Sequence, residues 1–336
     1  MFKRPVLLIA IVVVAVAGIG LGFYLNKEKK PEILNLVLGA ELSLLTAPVW
    51  IAEHNGYFQK NNLNLEIRGF GSGKASLAAM IKGGELDIST VAQTPIMFNS
   101  FETDNFAIIA TMVTSYSDMK FIVNSDSVIS TIYELKVKRV GLTTGSTGQY
   151  FFSRALQSAE MGTSNVEAIH FSPSELPLAL QSGLVDAICT WEPHAINAKR
   201  LLGVKAQALK TSDRLYREDF YFVASKRVLK ESAEALIRFL SAIDEAEKFI
   251  NSNAEQARDI ISSRLNLDRV FVDSLWVEFN YQLTLDQTVF LTLEDEARWA
   301  VTNNLTGTRK EIPNYLNYIN SMPLEAVKAE SVLIFN

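Results

Sequence analysis

Residues 139–162 read RVGLTTGSTGQYFFSRALQSAEMG, and the fold is argued outward from them. Arg139-Val140-Gly141-Leu142 has the composition of a short strand. Residues 143–147 form a hydroxyl- and glycine-rich turn, and residues 151–161 carry apolar side chains at helical spacing. The first turn of a helix offers amide donors without intrahelical partners and partial positive charge, so a strand–turn–helix of this kind can cradle a polar or negative group without a basic side chain. Ser146 or Thr147 is the expected N-cap. Gly145 and Gly148 admit close backbone approach, and Gly162 is the expected stop. A Walker A loop is excluded by the missing Lys-Ser/Thr pair, and a dinucleotide fingerprint by the missing three-glycine spacing.

On both sides of this stretch the chain alternates strands and helices. Strands are expected at 33–38, 63–68, 86–91, 106–112, 120–123 and 220–224. Helices are expected after Pro48, at 74–82, and from Thr94-Pro95 with Thr94 as cap and Pro95 in the first position. One pattern occurs twice. Residues 76–97, SLAAMIKGGELDISTVAQTPIM, and 175–196, ELPLALQSGLVDAICTWEPHAI, each run helix, glycine, two residues, aspartate, apolar strand, polar turn, proline. Gly84-x-x-Asp87 answers to Gly183-x-x-Asp186, and Thr94-Pro95 to Glu192-Pro193. Two similarly built α/β lobes with parallel sheets follow from this. The lobes are expected to span 31–123 with a return at 221–336, and 124–220, with crossings near Val123 and Tyr221 forming a hinge. Past Ser225 the pattern is mostly helical, at 233–250, 254–265, 269–279 and 294–303, and these helices are expected to pack on the first lobe.

With 336 residues the chain can bury a large core, and a net charge of −5 without a basic stripe argues against a nucleic-acid partner. Cys189 is the single cysteine, which excludes an internal disulfide and a cysteine-based zinc cluster, and His54, His170 and His194 are spaced too widely for a helical metal pair. No cofactor or metal is expected. Residues 1–30 open with Lys3 and Arg4, run apolar from Pro5 to Leu25 and turn polar at Lys27, as an export signal or a membrane anchor does. The remainder of the chain is then placed outside the cytoplasm.

The motifs resemble those of a known family. Residues 48–58 (PVWIAEHNGYF), Leu63-Asn64-Leu65, residues 84–88 (GELDI), Gly145-Ser146-Thr147 and Trp191-Glu192-Pro193-His194 are similar to the SsuA/THI5-like, NMT1-like solute-binding proteins of ABC importers. That family serves aliphatic sulfonates, taurine, nitrate and thiamine-pyrimidine precursors. The resemblance covers about residues 33–250. It implies a type 2 periplasmic binding fold, in which two α/β lobes close on a small ligand in the periplasm as a monomer, for delivery to a permease powered by a separate ATPase. At residues 133–138 the chain reads YELKVK where relatives usually carry an Asp-Leu-Lys-Gly-Lys turn.

In an open α/β sheet the ligand lies beyond the carboxyl ends of the strands. The candidate ligand contacts there are Ser43, Leu44, Gly71, Ser72, Gln93 and Thr94 from the first lobe. The second lobe offers Ser146, Thr147, Gly148, Gln149, Trp191 and Glu192. Trp191 offers a ring wall and one indole donor. Contact with Glu192 would favour an amine-bearing ligand. If Glu192 serves only as a helix cap, the hydroxyl and amide donors favour an oxyanion. No nucleophile–base or acid–base pair is forced by spacing, so a binding role is expected over catalysis. The alternatives are a membrane-tethered ligand sensor and a relative of the pyrimidine-precursor biosynthetic enzymes.

Overall fold

The computed structural model describes residues 32–212 and 214–334. The export or anchor segment expected at 1–30 lies outside the described residues. Among those described, no helix is long and apolar enough to cross a membrane.

The first lobe begins with β1 (Leu34–Glu41), α1 (Ala47–His54), β2 (Leu63–Phe70), α2 (Gly73–Gly83), β3 (Ile88–Ala92), α3 (Gln93–Ser100) and β4 (Phe106–Ser115). The chain then crosses into a second sheet. There it forms β5 (Lys120–Asn124), β6 (Arg139–Leu142), α4 (Thr147–Ser158), β7 (Glu167–His170), α5 (Leu176–Gln181), β8 (Ala187–Thr190), α6 (His194–Leu202) and β9 (Ala206–Leu209). It returns through β10 (Glu218–Ser225) and completes the first lobe. The closing elements are α7 (Ala233–Ser252), α8 (Ala254–Leu265), α9 (Arg269–Trp276), β11 (Phe279–Asp286), α10 (Thr288–Thr302), α11 (Met322–Lys328) and β12 (Val332–Leu333).

The sheet orders are β12-β11-β4-β10-β3-β1-β2 and β7-β6-β8-β5-β9. Within each, a first strand lies between its two parallel successors and a returning strand pairs antiparallel with the third: β10 with β3, and β5 with β8. The sheets are therefore mixed rather than parallel, because the strands that cross between lobes must run back along the sheet they join. The crossings themselves fall earlier than expected. β5 pairs with β8 and β9, and β10 with β3 and β4, so the chain leaves the first sheet after Ser115 and regains it at Glu218.

The repeated sequence pattern is a repeated structure. In lobe 1 the Val37 amide donates to Asp87 Oδ2 and the Asp87 amide donates to the Val37 carbonyl, both at 2.9 Å. In lobe 2 the Arg139 amide donates to Asp186 Oδ2 at 2.9 Å and the Asp186 amide to the Arg139 carbonyl at 2.8 Å. Each aspartate thus clips the strand that follows it onto the central strand, and each takes an arginine, Arg227 or Arg139. Gly84 and Gly183 turn the chain after α2 and α5 at φ +65° and +72°, a region that glycine enters without steric cost.

The large core lies in lobe 1, where Leu38, Trp50, Ile88, Ile108, Phe222, Phe239 and Leu285 are buried together. The second sheet separates two smaller cores. Phe121, Val123 and Cys189 face α4, while Ile122 and Ile188 face α5 and α6, the two-residue alternation of a sheet covered on both sides. Helix α7 packs Ala235, Leu236, Phe239, Leu240, Ile243 and Ala246 inward at three- and four-residue spacing. The region past Ser225 also contains β11, where helix was expected to run through Phe279. Alternation of buried Phe279, Tyr281, Leu283 and Leu285 with more exposed neighbours marks it as a strand. Helix α4 ends at Ser158 rather than near Met161. Glu160, at φ +54°, takes the left-handed position that Gly162 was expected to fill.

Candidate functional site

The carboxyl ends of β1 and β3, the start of β10, and the helix starts of α2 and α4 converge where the lobes meet. Between them lies a cavity of about 30 Å³, room for about two water molecules. Lobe 1 lines it with Glu41, Leu45, Ser72, Gly73, Lys74, Ala92, Pro95, Glu218 and Phe220, and lobe 2 with Thr143, Ser146, Thr147 and Trp191.

Hydrogen bonds cross between the lobes at this cleft. Trp191 Nε1 donates to Glu41 Oε1 at 3.0 Å, and Lys74 Nζ donates to the Thr144 carbonyl at 2.6 Å. Glu41 is 3% exposed and Trp191 6%. The other carboxylate oxygen of Glu41 accepts from the Gly73 amide at 2.7 Å. Residue 73 must be glycine for that approach: a Cβ there would stand 2.7 Å from Val91 Cα and 2.9 Å from the Thr90 carbonyl.

Burial raises Glu41 from 4.5 to about 8, against the Gly73 and Trp191 donors that favour its charged form. Glu218 is likewise raised well above the usual range by burial and by neighbouring Asp118, which burial itself pushes up to about 7. Behind the cavity Lys120 Nζ sits 2.9 Å from Glu278 Oε2 and 3.3 Å from Glu192 Oε1.

Of the candidate contacts, Ser72, Ser146, Thr147 and Trp191 come together on the cavity. Ser146 holds the N-cap position, but its hydroxyl donates back to the Thr143 carbonyl at 2.6 Å rather than accepting from the helix. The others are placed elsewhere. Ser43 and Leu44 are buried beneath the cleft, the Leu44 carbonyl accepting from Tyr281 Oη. Gly71 adjoins the lining residue Ser72. Gln93 bridges the Arg217 carbonyl and the Asp219 amide at the second crossing. Thr94 lies inside the first turn of α3, whose N-cap is Ala92, so it is not the expected cap. The Gly148 carbonyl accepts from Cys189 Sγ, and Gln149 Oε1 from the Gly145 amide. Glu192 caps α6, its Oε2 accepting from the Ile196 amide at 2.9 Å.

Glu41, Lys74 and Glu218 line the cavity and escape a reading of the sequence, and Thr143, in the turn read as a cradle, joins them. Strand β1 runs three residues past its expected end, and β10 begins two residues before its expected start. Both carboxylates sit in those extensions. Among the described residues no group of three or more His, Cys, Asp or Glu is placed to hold a metal.

The family model described as NMT1/THI5 like matches residues 45–257, well over half of the chain. The chain belongs to this family. A Brucella abortus protein named for a binding role is 26% identical over 244 residues, 72% of this chain and 74% of that one. A Bacillus subtilis protein named for binding aliphatic sulfonates is 25% identical over 277 residues, 81% of this chain and 82% of that one. Among solved structures, the periplasmic aliphatic sulphonate binding protein SsuA from Escherichia coli superposes with a TM-score of 0.74 at 18% identity, covering 87% of this chain and 93% of its own. The fold of this NMT1/THI5-like chain is thus the periplasmic binding fold.

Proposed function

We propose that this protein is an extracytoplasmic solute-binding protein that captures a small polar solute between its lobes and hands it to the permease of an ABC importer. The observation that carries the reading is the cleft itself. Helix starts and strand ends from two lobes meet there, and the Trp191–Glu41 and Lys74–Thr144 bonds form only when the lobes approach. Two crossings, one between β4 and β5 and one between β9 and β10, connect the lobes, which suits hinge closure around a ligand. Membership of the NMT1/THI5-like family and likeness to proteins named for sulfonate binding support transport over chemistry. Cys189 favours the same reading: it is buried, its thiol donates to the Gly148 carbonyl, and burial raises it well above its usual value.

A thermal-shift screen of small anions, cations and neutral polar solutes tests the proposal. Saturable stabilisation is expected from one class, about 2.7 kcal/mol at a hundredfold excess over Kd. X-ray scattering with that solute should show a smaller radius than without it. A folded protein that no solute stabilises or compacts would count against solute capture.

A further inference from the structure

We infer that the protein carries a second binding site on the α4 side of the lobe interface, which takes a small uncharged aromatic carboxamide and draws the lobes together when filled. The site shares no lining residue with the cleft cavity, so it stands or falls apart from the solute-capture reading.

A cavity of about 280 Å³ lies between α4, β6 and β7 of lobe 2 and the end of α10 in lobe 1. Small-molecule sites begin at about 300 Å³, so this volume suits a compact ligand. Leu142, Phe152, Trp299 and Leu305 form its apolar wall. The Trp299 ring is fixed there. Its centroid lies 5.0 Å from that of Tyr150 and 6.2 Å from that of Phe98, both edge-on, and its indole donates to Ser153 Oγ. A planar body packs well against a ring held in this way.

The polar lining is uncharged. Among the described residues no lysine, arginine, aspartate or glutamate lines this cavity; Lys74 on one flank and Arg154, Asp295 and Arg298 on the other line the adjoining hollows. Those cations are already bonded, Lys74 to the Thr144 carbonyl, Arg154 to Gln157 and Arg298 to Glu294. A charged ligand would enter with no opposite charge on the lining to offset its desolvation.

Three lining side chains are each tied to the backbone through one end. Gln149 Oε1 accepts from the Gly145 amide at 2.7 Å, which leaves its NH2 as a donor. His170 Nδ1 accepts from the Thr144 amide at 3.0 Å, and an imidazole that accepts there carries its proton on Nε2, a second donor. The two amides are consecutive in the chain, which sets these donors side by side. Asn303 Nδ2 donates to the Trp299 carbonyl at 2.9 Å and leaves Oδ1 as an acceptor. Among the described residues none of the three free ends has a protein partner. Two donors and an acceptor beside a planar wall match a primary carboxamide on an aromatic ring, whose carbonyl accepts twice and whose NH2 donates. Gln149 and His170 belong to lobe 2 and Asn303 to lobe 1. One bound amide therefore spans the interface and favours the arrangement in which both lobes reach it.

Titration calorimetry with benzamide, benzoate and benzamidine, nearly isosteric probes that differ in charge, tests this on the wild type, on Ala168→Phe and on Asn303→Leu. Ala168 lines the cavity on the edge strand β7, two residues from His170, and is exposed, so a phenylalanine there fills the cavity without entering a core. Asn303 is exposed at the end of α10. Benzamide is expected to bind at least about tenfold more tightly than either ion. Asn303→Leu should weaken it by about fivefold, the worth of one hydrogen bond, and Ala168→Phe should abolish it, with circular dichroism confirming that both variants fold. X-ray scattering should show benzamide lowering the radius of the wild type and not of Ala168→Phe. No binding of benzamide to the wild type, tighter binding of benzoate or benzamidine, or binding untouched in the folded variants overturns the site. Binding without compaction overturns its part in closure.

Discussion

Glu41 holds its proton up to about pH 8 because burial outweighs the two N–H donors on its carboxylate. The same imbalance acts on Glu296, also raised to about 8, on Asp118, to about 7, and on Asp219, to about 6. Each binds its proton more tightly folded than unfolded. Between the unfolded values near 4 and the folded values of 6–8, the native state carries more protons than the unfolded chain. The contribution of these four carboxyls to stability without ligand therefore falls as pH rises through this window, against the smaller opposite contribution of His194, held below its usual value at about 4 by burial. Melting curves from pH 5 to pH 9 are expected to show a steady decline, and Glu41→Gln should be flatter, with its largest gain over wild type at the alkaline end. A profile that rises across the window would mean that these carboxyls ionise freely in the fold.

At the scale of elements, the sequence discloses what is locally periodic or locally repeated and conceals what depends on neighbours. The paired Gly-x-x-Asp motifs are legible because the same backbone clip is built twice, from Asp87 and from Asp186. The period-two run at Phe279–Asp286 is equally regular, but it follows closely on a helix whose apolar spacing carries a helical reading on to Phe279. Glu41 and Glu218 were hidden for another reason. A charged residue at a strand end looks like the start of a solvated turn, and only the opposing lobe makes it a buried wall. One departure from the family pattern has a structural consequence in the turn that feeds β6. Val137 stands where the resemblance leads one to expect glycine, and it adopts φ +57° while 82% exposed. A β-branched residue pays about 1–2 kcal/mol in that region, while glycine brings back part of it as unfolded-state entropy. Val137→Gly is expected to stabilise the protein by about 0.5–1 kcal/mol without altering solute affinity, measured by chemical denaturation and titration. A destabilised variant would show that Val137 makes contacts worth more than its backbone strain.

For the whole molecule, closure is built into the lobe interface on both sides of the cleft. On one side Trp191 and Lys74 reach across. On the other, Trp299 of α10 donates from Nε1 to Ser153 Oγ of α4 at 2.8 Å, with its ring 5.0 Å from Tyr150 in an edge-on arrangement. The second contact lies away from the cavity-lining residues, so it can bias the lobes toward each other without touching a solute. Trp299→Phe keeps an aromatic ring against Tyr150 and removes the donor alone. Loss of one such bond is worth about 1 kcal/mol, which lowers the closed population relative to the open one by about fivefold. Since a solute must draw on the closed form, apparent affinity should weaken by up to the same factor, depending on how fully wild type is closed. The variant is expected to show a larger scattering radius without solute and the same compact radius at saturation. Its melting temperature should move little, because each lobe keeps its own core. Unchanged affinity with an unchanged radius would mean that the Trp299 contact follows closure rather than driving it, and that the Trp191–Glu41 bond carries the bias instead.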